Sequence, residues 1–198
     1  MGATVVISGS GRGVGKTAVG CALIQALPEW QWTAVKITPD AHGESASEAE
    51  KPLPRVFVEH DRKSAKGTGR YLAAGARRAV LVTVDPEWDG RPMAELDAVM
   101  EEGLQTGNLL VESNRFSGRA RICLAVIGGA EADWKHSFRR CVDTADALVL
   151  TGSVMAGDLP ERLRGRPVFI VQGNLWAPAE LVALVRGRLQ DGNGNRQE

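Results

Sequence analysis

Short apolar runs recur along the chain and alternate with longer segments of mixed, helix-like spacing. Several runs, such as 78–84 and 122–127, are apolar without alternation, which is typical of strands covered on both faces. The alternation predicts an α/β fold with right-handed crossovers and a mostly parallel central sheet flanked by helices in three layers. Strands are predicted at residues 3–8, 32–38, 55–60, 78–84, 108–112, 122–127, 147–150 and 168–171.

The intervening segments predict five helices and one long loop. Residues 39–54 are polar, acidic and bounded by prolines, and we expect them to form a loop that orders over bound substrate. The absence of a repeat or linker predicts a single domain at 1–190, followed by a disordered tail at 191–198. The helices are predicted at residues 15–27, 66–75, 92–106, 131–143 and 178–188.

Composition narrows the class of protein. The 198 residues include 24 lysines and arginines against 24 acidic residues, and this balance gives no support for nucleic-acid binding. The three cysteines are far apart and predict reduced, buried thiols. No apolar stretch approaches the roughly 20 residues of a membrane span, and "MGATVVIS" lacks the features of a signal peptide. We therefore expect a cytoplasmic protein.

A cluster of glycines, "GSGRGVGKT" (residues 9–17, hereafter the glycine loop), lies between a predicted strand and a predicted helix. Glycines let the backbone wrap around an anion, and a helix N-terminus favours negative charge. Lys16 supplies a cation for the β- and γ-phosphates of a nucleotide, and the Thr17 hydroxyl can bind Mg²⁺. The residues expected to contact the nucleotide are Gly9, Ser10, Gly11, Arg12, Gly13, Val14, Gly15, Lys16, Thr17 and Ala18.

The strict phosphate-loop pattern G-x-x-x-x-G-K-[ST] is not met, because Ser10 stands where its first glycine belongs. A pattern one residue longer fits from Gly9 to Thr17. Beyond this loop, phosphoryl chemistry calls for a second acid at the carboxyl end of a buried strand, and Glu112 and Asp85 both qualify. Lys36, at the end of another strand, is expected to reach the phosphates.

These residues resemble two families of P-loop NTPases. The loop "GSGRGVGKT" is similar to the longer loop of the dethiobiotin synthetases, and Lys36 in "AVKITPD" matches a lysine of both those enzymes and the MobB family. MobB proteins are adapters in the biosynthesis of the molybdopterin-guanine dinucleotide cofactor. The segments "KSAKGTGRYLAAGARRAVLV" and "NLLVESN" also resemble MobB, so the similarity spans residues 3 to 116.

The resemblance implies a P-loop NTPase fold and a set of site residues. Lys16, Lys36 and Glu112 are the implied catalytic residues, and Thr17 and Glu112 the implied Mg²⁺ ligands. The family's aspartate that helps to hold Mg²⁺ is replaced by Gly67, and the nearby Asp61 is its candidate substitute.

The implied activity is Mg²⁺-dependent binding and slow hydrolysis of a nucleoside triphosphate, with GTP favoured over ATP. A cofactor-biosynthesis partner protein and a homodimer are further implications of the MobB resemblance. Two other functions stay open: an ATP-dependent ligase or small-molecule kinase like dethiobiotin synthetase, and a non-catalytic nucleotide switch. Trp176, after the last predicted strand, is a candidate to stack on a base or to pack against the protein.

Overall fold

The computed structural model describes residues 2–40 and 53–194. Within them, eight strands form one sheet in the order β3-β4-β2-β5-β1-β6-β7-β8, and only the edge strand β3 runs antiparallel to its neighbour. The central strand β1 is therefore flanked by β5 and β6, and β2 lies beyond β5. The strands are β1 Thr4–Gly9, β2 Trp32–Pro39, β3 Arg55–Glu59, β4 Arg78–Val84, β5 Asn108–Glu112, β6 Ile122–Ile127, β7 Ala147–Leu150 and β8 Val168–Ile170.

Helices cover both faces of this sheet. On one face, the sheet packs against residues such as Leu23 of α1, Tyr71 of α2 and Leu181 of α5. On the other, the core divides into two apolar clusters, one around α3 and one around α4. The helices are α1 Lys16–Ala26, α2 Gly67–Ala73, α3 Ala94–Thr106, α4 His136–Arg139 and α5 Ala179–Gly194, and single-turn 3₁₀ helices occupy Pro28–Trp30, Glu131–Asp133, Val142–Thr144, Ala156–Asp158 and Glu161–Leu163.

This three-layer arrangement confirms the predicted fold class. Strand β1 shows why the apolar runs predicted it, because Val5 and Ile7 pack against one helical layer and Val6 packs against the other. A strand buried on both faces needs apolar residues at consecutive positions, and its neighbours in a parallel sheet must be reached through crossover helices.

The helix predicted at 131–143 is wrong. In its place are the 3₁₀ turn Glu131–Asp133, the single turn α4 and the 3₁₀ turn Val142–Thr144. The backbone is extended at Trp134 and Lys135, and the Lys135 N–H donates a hydrogen bond to the Ser10 carbonyl at 2.9 Å. A tertiary contact with the glycine loop therefore overrides the helical tendency of this segment.

The two segments predicted to be flexible lie partly outside the described residues. Helix α5 continues to Gly194, past the predicted start of the tail at residue 191, and residues 195–198 lie outside the described range. Most of the predicted loop, residues 41–52, also lies outside that range.

Candidate functional site

The glycine loop leaves the carboxyl end of β1 and turns into α1. Gly13 and Gly15 have φ angles of 78° and 102°, in the left-handed region that favours glycine. Gly9 is needed for a different reason: a Cβ there would lie 2.7 Å from the Cγ and Cδ atoms of Lys16. The glycines thus allow the tight turn and let the Lys16 side chain cross over the start of the loop.

Lys16 folds back over this loop. Its Nζ donates a hydrogen bond to the Gly11 carbonyl at 2.9 Å. Burial lowers the pKa of Lys16, and the nearby charges of Lys36 and Lys135 lower it further, while Glu112 acts in the opposite direction. Several cations therefore share this end of the sheet, which creates a favourable environment for a multivalent anion.

Glu112 is the centre of the site. Its side chain is 5% exposed, and it accepts hydrogen bonds from Lys36 Nζ at 2.9 Å and from the Thr17 hydroxyl at 2.7 Å. The Tyr71 hydroxyl donates a third, also at 2.7 Å. Burial alone would raise the pKa of Glu112, but the Lys36 charge and the donated hydrogen bonds hold it below its ordinary value. The carboxylate is therefore ionised at neutral pH.

Sheet register explains why Lys36 and Glu112 meet. Lys36 on β2 is aligned with Glu112 on β5, and Glu112 is aligned with Ile7 on β1. Aligned residues on neighbouring strands share a face of the sheet, and here that face carries α1 and α2. The parallel topology thus brings Lys36, Glu112 and the glycine loop to one edge of the sheet.

Tyr71 is a site residue that the sequence analysis missed. It is fully buried, and burial raises its pKa well above the ordinary value, as does the charge of Glu112, so the phenol remains a donor. A Cβ at Gly20 of α1 would lie 2.8 Å from the Tyr71 ring, and this close helix contact brings the hydroxyl to Glu112. A lone tyrosine in an apolar helix face carries no sequence signal for such a role.

Gly67, which stands where the sequence resemblance implied an aspartate, lies inside the site. A Cβ there would be 3.0 Å from Lys36 Nζ and 3.6 Å from the Thr17 hydroxyl. Asp61, the candidate substitute for that acid, closes a turn after β3, where its exposed carboxylate accepts the Lys63 N–H at 2.8 Å. No hydrogen bond joins it to Thr17 or Glu112 among the described residues, and its role as a metal ligand stays a prediction.

Asp85, the other candidate for the second acid, lies farther from β1. It follows β4, which is separated from β1 by two strands. Its exposed carboxylate accepts the Glu87 N–H at 2.7 Å and so stabilises a local turn. Between the two candidates, the structure places only Glu112 beside the glycine loop.

Internal hydrogen bonds anchor the glycine loop. The Ser10 hydroxyl donates to the Gly128 carbonyl at 2.8 Å and accepts the Gly128 N–H at 2.9 Å, and the Ser10 N–H donates to Val126. The Asn114 side chain makes two hydrogen bonds with the Gly9 backbone: it accepts the Gly9 N–H at 2.8 Å and donates to the Gly9 carbonyl at 3.0 Å. Ser10 thus ties the loop to the protein, and its contact with a nucleotide stays a prediction.

The remaining loop residues differ in exposure. Arg12 and Gly13 are exposed, whereas Val14 and Ala18 are half-buried, and the Val14 carbonyl accepts a hydrogen bond from Thr151 at 3.0 Å. Trp176 packs against the loop, since a Cβ at Gly15 would lie 2.4 Å from its ring. The Trp176 indole therefore covers the start of α1, and part of the indole surface is buried by this contact.

Solved structures similar to this chain give the fold its context. HypB from Helicobacter pylori, in complex with nickel, matches with a TM-score of 0.55 at 12% identity, over 96% of this chain and 89% of HypB. LpxK from Aquifex aeolicus, in complex with ATP, matches with a TM-score of 0.50 at 14% identity, over 85% of this chain and 53% of LpxK. MobB from Bacillus subtilis matches with a TM-score of 0.46 at 16% identity, over 94% of this chain and 97% of MobB. No protein-family model and no curated protein matches the sequence.

HypB and LpxK are P-loop NTPases. The chain has the P-loop NTPase fold. In this fold the glycine loop of residues 9–17 occupies the P-loop position, between the central strand β1 and helix α1. Among residues 2–40 and 53–194, no helix is both long and apolar enough to cross a membrane. The same residues contain no cluster of three or more His, Cys, Asp or Glu side chains placed to hold a metal ion.

Proposed function

We propose that the chain binds a nucleoside triphosphate together with Mg²⁺ and hydrolyses it slowly. The observation that carries this proposal is the convergence of four polar side chains beside the glycine loop. Glu112 accepts hydrogen bonds from Thr17 and Lys36 at 2.7 and 2.9 Å, and the Lys16 ammonium lies over the loop. A hydroxyl, a carboxylate and two cations are the groups that phosphoryl transfer requires.

In the proposed complex, the glycine loop surrounds the phosphates. Its backbone N–H groups and the N-terminus of α1 face the anion, and Lys16 contributes a point charge. Because Ser10 and Asn114 already hold the loop in place, little conformational entropy is lost when a ligand binds. Lys36 adds a second cation from the neighbouring strand β2.

Two oxygen atoms at the site are suitable ligands for Mg²⁺. Thr17 Oγ1 and Glu112 Oε2 lie 2.7 Å apart, and hydroxyl and carboxylate oxygens are ligands that this hard cation prefers. When bound, Mg²⁺ would neutralise charge on the phosphates. Gly67 leaves the site without the further acid of the related families, so Thr17 and Glu112 are the side chains that would hold the metal.

Glu112 is also the proposed acceptor for the proton of the attacking water. Three donors hold its carboxylate and keep its pKa low, which weakens it as a base. A weak base at the water and a site one acid short favour slow turnover. We therefore propose that the protein is controlled by nucleotide and has a low intrinsic rate of hydrolysis.

The preferred nucleotide, the biological role, the partner and the location are proposed from the sequence resemblance. We favour GTP, a MobB-like role in molybdenum-cofactor biosynthesis, a partner protein of that pathway and a cytoplasmic location because residues 3–116 resemble MobB. The second candidate is a non-catalytic switch, which is favoured by the loss of the family acid at Gly67. An ATP-dependent dethiobiotin synthetase-like ligase is distinguished from the GTPase by its preference for adenine, and the switch is distinguished from both by the absence of turnover.

Titration of Lys16→Ala tests nucleotide binding. We expect the variant to lose binding of both GTP and ATP with Mg²⁺ while keeping its thermal midpoint, because Lys16 contacts phosphate and contributes less than about 1 kcal/mol to folding. Lys63→Ala, which removes an exposed lysine in the turn after β3, is the matched control and should bind normally. Unchanged affinity in Lys16→Ala would exclude nucleotide binding by this loop.

Hydrolysis is tested with Glu112→Gln. We expect this variant to bind nucleotide but to lose roughly 10²-fold or more in turnover, since an amide cannot accept the proton. Asp85→Asn changes the other strand-end acid and should turn over like the parent protein. Parent turnover that is no faster than in Glu112→Gln would instead support the switch.

A further inference from the structure

A cleft of about 940 Å³ opens on the face of the sheet opposite α1. It lies where the helical layer on this face divides into the cluster around α3 and the cluster around α4. One wall comes from the segments that follow β4 and β5, and the other comes from α4 and the residues after it. Cys123 and Asp146 also line the cleft.

Hydrogen bonds connect this cleft to the glycine loop. Asn114 and Ser137 both line the cleft, and Asn114 Nδ2 donates a hydrogen bond to Ser137 Oγ at 3.3 Å. The same Asn114 side chain makes two hydrogen bonds with Gly9, the first residue of the glycine loop. A ligand in the cleft would therefore lie on one side of Asn114, with the phosphate-binding loop on the other.

Two arginines line the cleft without a carboxylate partner. The half-buried Arg115 donates from Nη1 to the carbonyls of Pro86 and Trp88, which satisfies hydrogen bonds but leaves its charge unpaired. Across residues 2–40 and 53–194, the exposed Arg140 side chain has no hydrogen bond or ion pair. Unpaired guanidinium groups in a concave site are suited to bind a carboxylate, sulfonate or phosphate.

Three acidic side chains also line the cleft. Asp89 pairs with Arg91 at 3.0 Å, which neutralises its charge. Within the described residues, Asp146 accepts only the Cys123 N–H at 2.7 Å and Glu87 is exposed, so a bound anion has to lie nearer the two arginines than these two carboxylates. Two aromatic side chains also line the walls, the half-buried Phe116 and Trp88, which is 8% exposed, so the aromatic area beside the arginines comes mainly from Phe116. This combination suits an anion attached to a flat apolar body.

We infer that this cleft binds a small organic anion with a flat apolar body, held by Arg115 and Arg140 beside the glycine loop. Binding in the cleft needs no nucleotide. Only its use as a second substrate or effector of the nucleotide site rests on the proposed function.

The probe that tests this inference is 8-anilinonaphthalene-1-sulfonate, a fluorescent aromatic anion. We expect saturable one-to-one binding to the parent protein and about tenfold weaker binding to Arg140→Glu, because a charged contact is replaced by repulsion. Arg140→Lys keeps the charge and should restore most of the affinity. Arg188→Glu makes the same charge reversal at an exposed position of α5, on the opposite face of the sheet, and this variant should bind the probe like the parent protein.

Lys16→Ala separates this inference from nucleotide binding. The probe should bind equally to this variant and to the parent protein, even though the variant no longer binds nucleotide. The inference fails if binding is not saturable, if Arg188→Glu weakens it as much as Arg140→Glu does, or if Lys16→Ala abolishes it. Unchanged circular dichroism and thermal midpoints establish that each variant is folded.

Discussion

Glu112 is held by donors from three different elements: Lys36 of β2, Thr17 of α1 and Tyr71 of α2. Each bond stabilises the ionised carboxylate, and together they offset the cost of burying a charge. The position and the pKa of this group are therefore controlled by residues that lie far apart in the sequence.

The Tyr71→Phe variant tests the role of the buried Tyr71 hydroxyl. The substitution keeps the ring but removes one hydrogen bond to Glu112, so we expect a stability loss of about 1–2 kcal/mol in urea unfolding. Loss of a donor raises the pKa of Glu112, so the acidic limb of the hydrolysis pH profile should move to higher pH. A profile with its acidic limb unchanged would assign Tyr71 a packing role alone.

The control for Tyr71→Phe lies on the same helix. Thr68→Val removes a buried hydroxyl that donates a hydrogen bond to the Glu59 carboxylate at 3.1 Å. In the described part of the chain, this hydroxyl makes no hydrogen bond to Glu112. We expect Thr68→Val to lower stability without moving the pH profile. A shift of similar size in both variants would mean that the profile reports general destabilisation.

Sequence patterns predict part of this site and omit part of it. Lys36 and Glu112 end predicted parallel strands, and this placement alone puts both at one edge of the sheet. Tyr71 and Asn114 depend on how α2 and the segment after β5 pack, which no local pattern encodes. Asp61 lies in a turn whose short-range hydrogen bond to the Lys63 N–H determines its position, which no pattern in the sequence indicated.

At the scale of elements, α1 and α2 approach closely at Gly20. A Cβ there would lie 2.8 Å from the Tyr71 ring and 3.2 Å from Leu110. Alanine normally stabilises a helix interior relative to glycine, but this contact reverses the sign. We expect Gly20→Ala to lower the free energy of unfolding by about 1–3 kcal/mol through overpacking, measured by urea denaturation.

Gly187→Ala is the matched control for this prediction. Gly187 lies inside α5, and an added Cβ would meet nothing within 4 Å. There we expect only the propensity effect, a gain of up to about 1 kcal/mol. If both substitutions stabilise the protein, the α1–α2 contact is not as tight as the structure shows.

The elements themselves could be predicted well where burial decides the structure. The boundaries of β4, β5, β6 and β7 are confirmed, because strands covered on both faces are apolar throughout. The helix expected at 131–143 fails for the opposite reason. There the backbone bonds to Ser10, and the Arg139 side chain binds carbonyls that a helix would have used itself.

Glu112 makes the stability of the protein depend on pH. Its pKa is lower in the folded than in the unfolded state, where it is about 4.3. The carboxylate therefore stabilises the fold above the unfolded-state pKa, and this stabilisation is lost as the pH falls through the folded-state value. We expect the free energy of unfolding to decline below about pH 4.5, measured by urea titration at a series of pH values.

The free energy of unfolding should decline less steeply at acid pH (the acid limb) in Glu112→Gln, because the glutamine side chain cannot take up the proton. Asp85→Asn removes an exposed carboxylate and should leave the limb as in the parent protein. Glu59, whose pKa is also lowered, first by the hydrogen bond from the Asp61 N–H, supplies a second contribution. If Glu112→Gln declines as steeply as the parent protein, other carboxylates account for the acid limb.

The chain contains one tyrosine, and it is the residue whose hydroxyl contacts Glu112. Protein labelled with 3-fluorotyrosine would therefore give a single ¹⁹F resonance from the interior of the site. No assignment step is needed, and the solvent-facing surface contributes no background signal. A nucleotide, a metal ion or a proton that reaches the carboxylate changes the shielding of this one nucleus, which makes Tyr71 a built-in spectroscopic reporter of site occupancy.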